Sequence, residues 1–324
     1  MAGQSADGRV RIGVLGAGFV GRRHVDRLRT LSGVEVVGVA DPQRERAEAL
    51  AGSCGAQVAE GVRGLVDLGL DGLYVGVPPH QHGDPEDVAI EAGVPIFLEK
   101  PLANDLSTAV EIGRRIAAAG LLVSVGYQWR YLDTLQTVRQ RLADAPARMV
   151  LGAWLDKAPG APWWADEAAS GGQVIEQLTH VLDVARVVAG EVAVVRADAA
   201  RDPLGPGSIA HASTSTVRFA GGAVGSFSSS CLLTGGYRIA LEVLAPGVAM
   251  RLTERDLTTL DAAGERTVAA AVDPILEADR AFVAAVRSGS DDGVAVSYGE
   301  ALRTHRLACA LTDAARTGEP VELT

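Results

Sequence analysis

Apolar residues in the first 127 positions fall into short β-branched runs: RIGVL, VEVVGVA, GLYVGV, PIFLE and LLVSVGY. Each run is followed by a turn signal or by apolar residues at helical spacing. Continuously apolar strands alternating with helices predict a parallel sheet covered on both faces, hence an α/β unit over 10–127. After Tyr127 the rhythm changes. The pattern predicts a helix at 135–141, a strand at 149–154, a Pro/Trp/Gly loop and a long helix at 172–189. Strand candidates of alternating type follow near 191–199, 209–219, 223–230 and 237–245, with no helices between them. This succession predicts a largely antiparallel sheet and an α+β second domain over 128–324. Helices at 274–288 and 297–317 close the chain. Residues 1–9 are polar and expected to be disordered.

Composition narrows the classes. A chain of 324 residues is long for one core, which favours two domains. With 30 basic and 40 acidic residues the net charge is −10, which argues against nucleic acid as a partner. Three scattered cysteines, Cys54, Cys231 and Cys309, make neither a metal spacing nor a disulfide framework, and suit a reducing cytoplasm. No apolar run reaches about eighteen residues, so no membrane partner is expected.

Gly16-Ala17-Gly18-Phe19-Val20-Gly21 fits G-x-G-x-x-G. It directly follows the strand RIGVL and opens a helix, and Asp41 ends the next strand about twenty residues on. Gly16 permits the tight turn, Gly18 the approach of a pyrophosphate, and Gly21 close packing of helix on strand. The helix N-terminus at Phe19 and Val20 then faces the phosphates. Asp41 would accept hydrogen bonds from ribose hydroxyls and repel a 2′-phosphate, which places NAD ahead of NADP. Arg44, with Arg46, would hold that phosphate if Asp41 turned away. Two further strand ends lie where the nicotinamide belongs. Pro78 and Pro79 form a rigid, donor-free wall, followed by His80 and His82. Loop histidines are ordinarily surface residues; His82 is retained as a cofactor contact. In Glu99-Lys100-Pro101 the proline holds Lys100 extended and tolerates a cis bond. Held against nicotinamide, with Glu99 beside it, the Lys100 ammonium would stabilise an alkoxide or polarise a carbonyl.

GAGFVGRRH, Asp41, VPPHQH, LEKPL, VGYQWRY, SGGQVIEQLTHVLD and SYGEALRTHRLACALTDAARTGEPVEL come in an order that resembles the Gfo/Idh/MocA oxidoreductases. The resemblance covers essentially the whole chain after residue 9. It implies a Rossmann domain followed by a domain with an open, mostly antiparallel sheet whose face mediates homodimers or homotetramers. It also implies NAD(P)-dependent oxidation or reduction at a carbinol carbon of a sugar, cyclitol or related polyol, with no metal. The family's catalytic lysine falls on Lys100. Its Asp-x-x-x-His helix motif, with another Asp three residues on, falls on Glu176, His180 and Asp183. Glutamate at 176 departs from the aspartate common in the family, so no named substrate follows.

On a helical wheel of 172–189, Val174, Leu178, Val181, Leu182, Ala185, Val188 and Ala189 share one arc. Glu176, His180 and Asp183 form a stripe of roughly 60° opposite. Such stripes are usually solvated. This one has valine neighbours and no Lys or Arg, Arg186 falling outside its edge, so a covered face is expected. Ser170 is expected to cap the helix with Gln173 as capping-box partner. His180 suits a general base, with Glu176 or Asp183 fixing its tautomer. Whether Lys100 or His180 carries the proton stays open, and Glu176 and Asp183 could equally bind substrate hydroxyls.

All four tryptophans fall at 129–164, flanked by Tyr127 and Tyr131. They suit either a platform for a sugar's C–H face, with Arg130, Asp156 and Lys157 as hydroxyl partners, or buried core. Core is the reading for Trp129 and Trp154, although Tyr127 and Trp129 are kept among the substrate candidates. An exposed substrate lid is the reading for Trp163 and Trp164. Two other functions stay open: a lyase or glycosidase that uses hydride transfer transiently, and a non-catalytic dinucleotide-binding sensor.

Overall fold

The computed structural model describes residues 8–203, 205 and 207–323. Of the segment expected to be disordered, residues 1–7 lie outside the described residues. The chain divides into two units. The first holds residues 1–103, 107–131 and 274–302; the second holds 104–106, 132–273 and 303–324. The first unit thus takes in a later segment, 274–302, beyond the expected 10–127. The helix Pro274–Ser288 belongs with the first unit because its Ala278, Phe282 and Val283 complete that unit's core.

The first unit carries β1 (Val10–Leu15), β2 (Val34–Ala40), β3 (Gln57–Val58), β4 (Gly72–Val75), β5 (Ile96–Leu98) and β6 (Val123–Val125). All pair in parallel in the order β3-β2-β1-β4-β5-β6. Only the two-residue β3 lacks an apolar run to announce it. Helices cover both faces. Val25 and Leu28 from Phe19–Leu28 and Leu50 from Arg44–Cys54 join Phe282 in one apolar layer. Val88 from Asp84–Ala92 and Ile112 and Ile116 from Leu106–Ala119 join the other. The order reverses between β1 and β4, the point at which open parallel sheets bind ligands, at the strands' carboxyl ends.

The second unit carries β7 (Met149–Lys157), β8 (Val192–Ala200), β9 (Ala212–Phe219), β10 (Val224–Leu233), β11 (Arg238–Ala245), β12 (Val248–Leu252), β13 (Asp256–Asp261), β14 (Gly264–Ala269) and β15 (Val321–Glu322). They form a sheet ordered β14-β13-β12-β11-β7-β10-β9-β8-β15, antiparallel except where β7 meets β10. The sequence pattern missed β12 to β15. The segments VAMRL, DLTTLD and GERTVA are short, and charged or turn-forming residues interrupt their alternation. One face receives the helix Thr179–Ala189: a Cβ on Gly152 of β7 would run into Val181 of that helix and Phe227 of β10. The opposite face presents Leu260, Ala249, Leu244, Met149 and Val224 in register across five strands. Met149, Val224 and Leu260 in that row are exposed. Among the described residues no helix is long and apolar enough to cross a membrane.

Candidate functional site

In the first unit the register levels the strand ends, pairing Leu15 with Ala40 and Val75, and Leu98 with Val75 and Val125. The residues that follow therefore line one edge in the order Asp41, Gly16, Gly76, Glu99, Gly126. Gly16 turns at φ 99°, and a Cβ on it would strike the Gly76 carbonyl. A Cβ on Gly21 would fall on the Gly16 carbonyl oxygen, whereas nothing stands within 4 Å of one on Gly18. Gly18 is the N-cap of the helix Phe19–Leu28, and no side chain caps it. Its first N–H groups thus form an open cradle, which fits the pyrophosphate of a dinucleotide. Phe19 is exposed, with Arg23 over its ring, and Val20 follows in the first turn. Asp41 Oδ2 accepts from the Ala17 N–H at 2.8 Å and Oδ1 from the Gln43 N–H at 2.8 Å. Its carboxylate is thereby fixed beside the glycine turn. Arg44 is spent on Glu48 at 2.8 Å.

Further along the edge, Pro78 leads into a short turn, Pro79–Gln81, with His80 exposed. His82 corrects the surface reading. It is buried, and its Nδ1 lies 2.7 Å from Glu86 Oε1, while Glu86 Oε2 accepts from the Gly83 N–H at 2.5 Å. Burial works against the Glu86 carboxylate, but His82 outweighs it and holds the pKa below the ordinary value. His82 therefore pins the Pro78–Pro79 turn to the next helix. Lys100 is half-buried and its bond to Pro101 is cis.

Three expected substrate contacts in this unit are engaged otherwise. Tyr127 and Trp129 are fully buried, Tyr127 in the core under the sheet. Arg130 forms an ion pair with Glu300 at 2.8 Å. Aromatic area and a buried charge were better served by internal packing and pairing than by an open platform.

In the second unit the expected uniform helix is two pieces. Val174–Leu178 is a π turn, and Thr179–Ala189 continues as α-helix. Ser170 does not cap it: this residue ends a separate short helix, Glu167–Ser170, and its Oγ donates to the Asp166 carbonyl and accepts from the Gly172 N–H. Gln173 bonds Gln177 at 3.0 Å instead. The wider π turn shifts Glu176 relative to a wheel drawn at 3.6 residues per turn. Its Oε2 accepts from Trp164 Nε1–H at 2.7 Å. Trp164 is only 1% exposed and Trp163 is half-buried, so the exposed lid is corrected to an indole that orients Glu176. His180 is buried and stacks on Trp154, with ring centres 5.6 Å apart and planes 20° apart. Trp154 is half-buried against the catalytic candidate rather than core. Asp183 is 1% exposed, and Thr304 Oγ1 donates to its Oδ1 at 2.8 Å. Arg186 approaches the same oxygen at 4.0 Å, donates to Thr304 at 2.6 Å, and is held by Glu191 at 2.8 Å. A cation, Arg186, thus reaches the stripe, and Asp183 is buried with its Oδ1 held by Thr304.

Residues with no expected role also emerge. His24 lies 2.7 Å from Asp279 and 2.9 Å from Glu99, and Tyr74 donates to Asp279 at 3.1 Å. The one available signal was a histidine on the same helix as the apolar Val25 and Leu28.

Two family models match the chain. One, described as the oxidoreductase family with NAD-binding Rossmann fold, matches residues 10–127. The other, the GFO/IDH/MocA C-terminal domain, matches 146–246. An inositol 2-dehydrogenase of Mycolicibacterium gilvum is 32% identical over 188 residues, covering 56% of this chain and 53% of the relative. The scyllo-inositol 2-dehydrogenase (NAD(+)) of Bacillus subtilis is 30% identical over 186 residues, covering 56% and 54%. The chain thus spans about half the length of the curated relatives it matches. A solved levoglucosan dehydrogenase in complex with NADH shares the fold, with a TM-score of 0.88, 20% identity, and coverage of 98% of this chain and 99% of that one.

Proposed function

Because the chain belongs to the Gfo/Idh/MocA oxidoreductase family, we propose that it is an NAD-dependent dehydrogenase acting on a CH–OH carbon of a sugar or cyclitol. The row of strand ends that carries the glycine turn, Asp41 and Glu99-Lys100 on one edge is the observation that supports this most. The relatives named for inositols and for levoglucosan favour a polyhydroxylated substrate.

The backbone from Gly16 to Gly21 would bind the pyrophosphate and Asp41 the ribose hydroxyls, its charge disfavouring a 2′-phosphate. When bound, NAD supplies the hydride acceptor. In the oxidation direction His180 takes the proton of the substrate hydroxyl, its ring face fixed by Trp154. Lys100, on the strand-end edge of the first unit, would offset the charge of a developing alkoxide. Glu176, oriented by Trp164, accepts a hydrogen bond from a neighbouring hydroxyl. Asp183 acts at one remove, fixing the helix through Thr304 and Arg186. The apolar row from Leu260 to Val224 would mediate a homodimer or homotetramer, which sedimentation checks directly.

The functional reading is tested by following reduced-nicotinamide absorbance with NAD and with NADP across inositols, levoglucosan, hexoses and amino sugars. A polyol is expected to be oxidised with NAD, and Lys100→Ala and His180→Ala are expected to lose at least about a hundredfold in kcat. Near-wild-type turnover by either variant would overturn the assignment of that residue.

A further inference from the structure

A histidine is buried on the helix that follows the glycine turn, and the surrounding unit gives it two acidic partners. His24 Nδ1 is 2.7 Å from Asp279 Oδ1 and Nε2 is 2.9 Å from Glu99 Oε1. Its ring packs against Tyr74 and Phe97, with centres 5.1 and 4.9 Å away. Asp279, from the helix Pro274–Ser288, also accepts from the Tyr74 hydroxyl at 3.1 Å, and its Oδ2 has no hydrogen-bond partner. The titratable groups facing this cluster are Asp279, Glu99 and Tyr74, with Tyr131 beyond them beside Asp279. Gly126 completes the arrangement: any Cβ there would collide with the Glu99 carboxylate.

A neutral imidazole donates from one nitrogen only, whereas an imidazolium satisfies both carboxylates. Burial opposes the charged ring, but Asp279 and then Glu99 outweigh it and push the His24 pKa up to about 9. Burial lifts Asp279 as well. With Glu99 on the second nitrogen, a protonated ring donates to both carboxylates.

We infer that His24 is a positioning residue that clamps the Glu99 carboxylate and thereby holds the Glu99-Lys100-Pro101 turn from which Lys100 projects. Glu99 is fixed on its backbone side by its N–H to the Val75 carbonyl at 2.9 Å, on its carboxylate side by His24, and by the space that Gly126 leaves. The inference rests on Lys100 acting in the chemistry as proposed above, and the inactivity of Lys100→Ala tests that premise separately.

Asp279→Asn keeps the shape of the site but removes the charge that most favours the imidazolium. Its kcat relative to wild type, measured with NAD and the best polyol, is expected to fall about tenfold near pH 8 and to recover as pH drops and the His24 ring takes up its proton again. Taking the ratio to wild type cancels the pH dependence that the two proteins share. His24→Gln, with no ring to protonate, is expected to be low at every pH. KM for NAD should change little in both variants. A ratio for Asp279→Asn that is flat with pH, or wild-type turnover in His24→Gln while Lys100→Ala is inactive, would overturn the clamp and leave the Lys100 reading intact. Should the variants fail to fold, the His24 imidazole resonances of the wild-type protein decide: a ring still protonated at about pH 8 supports the clamp, and a neutral one refutes it.

Discussion

Replacing Trp164 by phenylalanine isolates the contact that makes position 176 distinctive. The substitution removes the indole N–H that reaches Glu176 Oε2 at 2.7 Å and leaves an aromatic ring in the same fully buried place. A hydrogen bond to a charged group contributes about 1.5–3 kcal/mol. Glu176 is half-buried, so water replaces part of the loss, and the lower end of that range applies. About 1.5 kcal/mol corresponds to roughly a tenfold fall in kcat/KM for the polyol. The smaller ring also leaves a void, at a further cost of about 1 kcal/mol in stability, which thermal unfolding records apart from turnover. A double-mutant cycle separates the two effects. If Trp164 works through Glu176, Trp164→Phe made in a Glu176→Ala background should cost little further activity, giving a coupling of about 1.5 kcal/mol. If the two losses add to within about 0.5 kcal/mol, the indole does not orient the carboxylate and the reasoning fails.

Other outcomes follow from the same contacts. Gly21→Ala places a methyl group on the Gly16 carbonyl and should abolish NADH binding measured by fluorescence. Asp41→Asn loses the charge and one of the two backbone bonds, since its amide nitrogen cannot accept from an N–H, so KM for NAD should rise about tenfold while NADP becomes usable. Thr304→Val strips a donor from buried Asp183 and an acceptor from buried Arg186, and should lower stability by about 1–3 kcal/mol in denaturant unfolding. His24 has a folded-state pKa raised to about 9 from the ordinary 6.5. Its contribution to stability is therefore complete below about 6.5 and lost as pH rises through about 9. The melting temperature should decline over that window in the wild type and much less in His24→Gln.

The parallel strands were legible because both faces of each are buried, so their sequences are apolar without interruption. The helices 274–288 and 298–317 were legible because their apolar faces repeat over four or more turns. β12 to β15 were not, since these short strands toward the two ends of a half-solvated sheet carry charges and turn residues that blur the period. The π turn at Val174–Leu178 was invisible to a wheel that assumes 3.6 residues per turn, and it hid the contact between Glu176 and Trp164. Periodicity also has the range of one element. It showed that His180 and Asp183 share a face, but Thr304 lies 121 residues from Asp183 and Asp279 lies 255 from His24. Such pairs are set by topology, so a polar residue on a helix that also carries the core was the only trace they left. The tryptophans were misjudged for a related reason: a Pro/Gly-rich stretch was taken for an open loop, when PWWA forms a tight turn that folds Trp164 inward.

Transfer of the hydrogen itself is the most direct test of the central claim. The protein is incubated with NADH carrying deuterium at both C4 positions and the keto form of the polyol that supports turnover, and the alcohol product is weighed by mass spectrometry. The account predicts one deuterium at the new carbinol carbon, and formation of that alcohol at least about a hundredfold slower with Lys100→Ala or His180→Ala. An alcohol product without deuterium, or tight NADH binding with no reduction of any keto polyol, would contradict it.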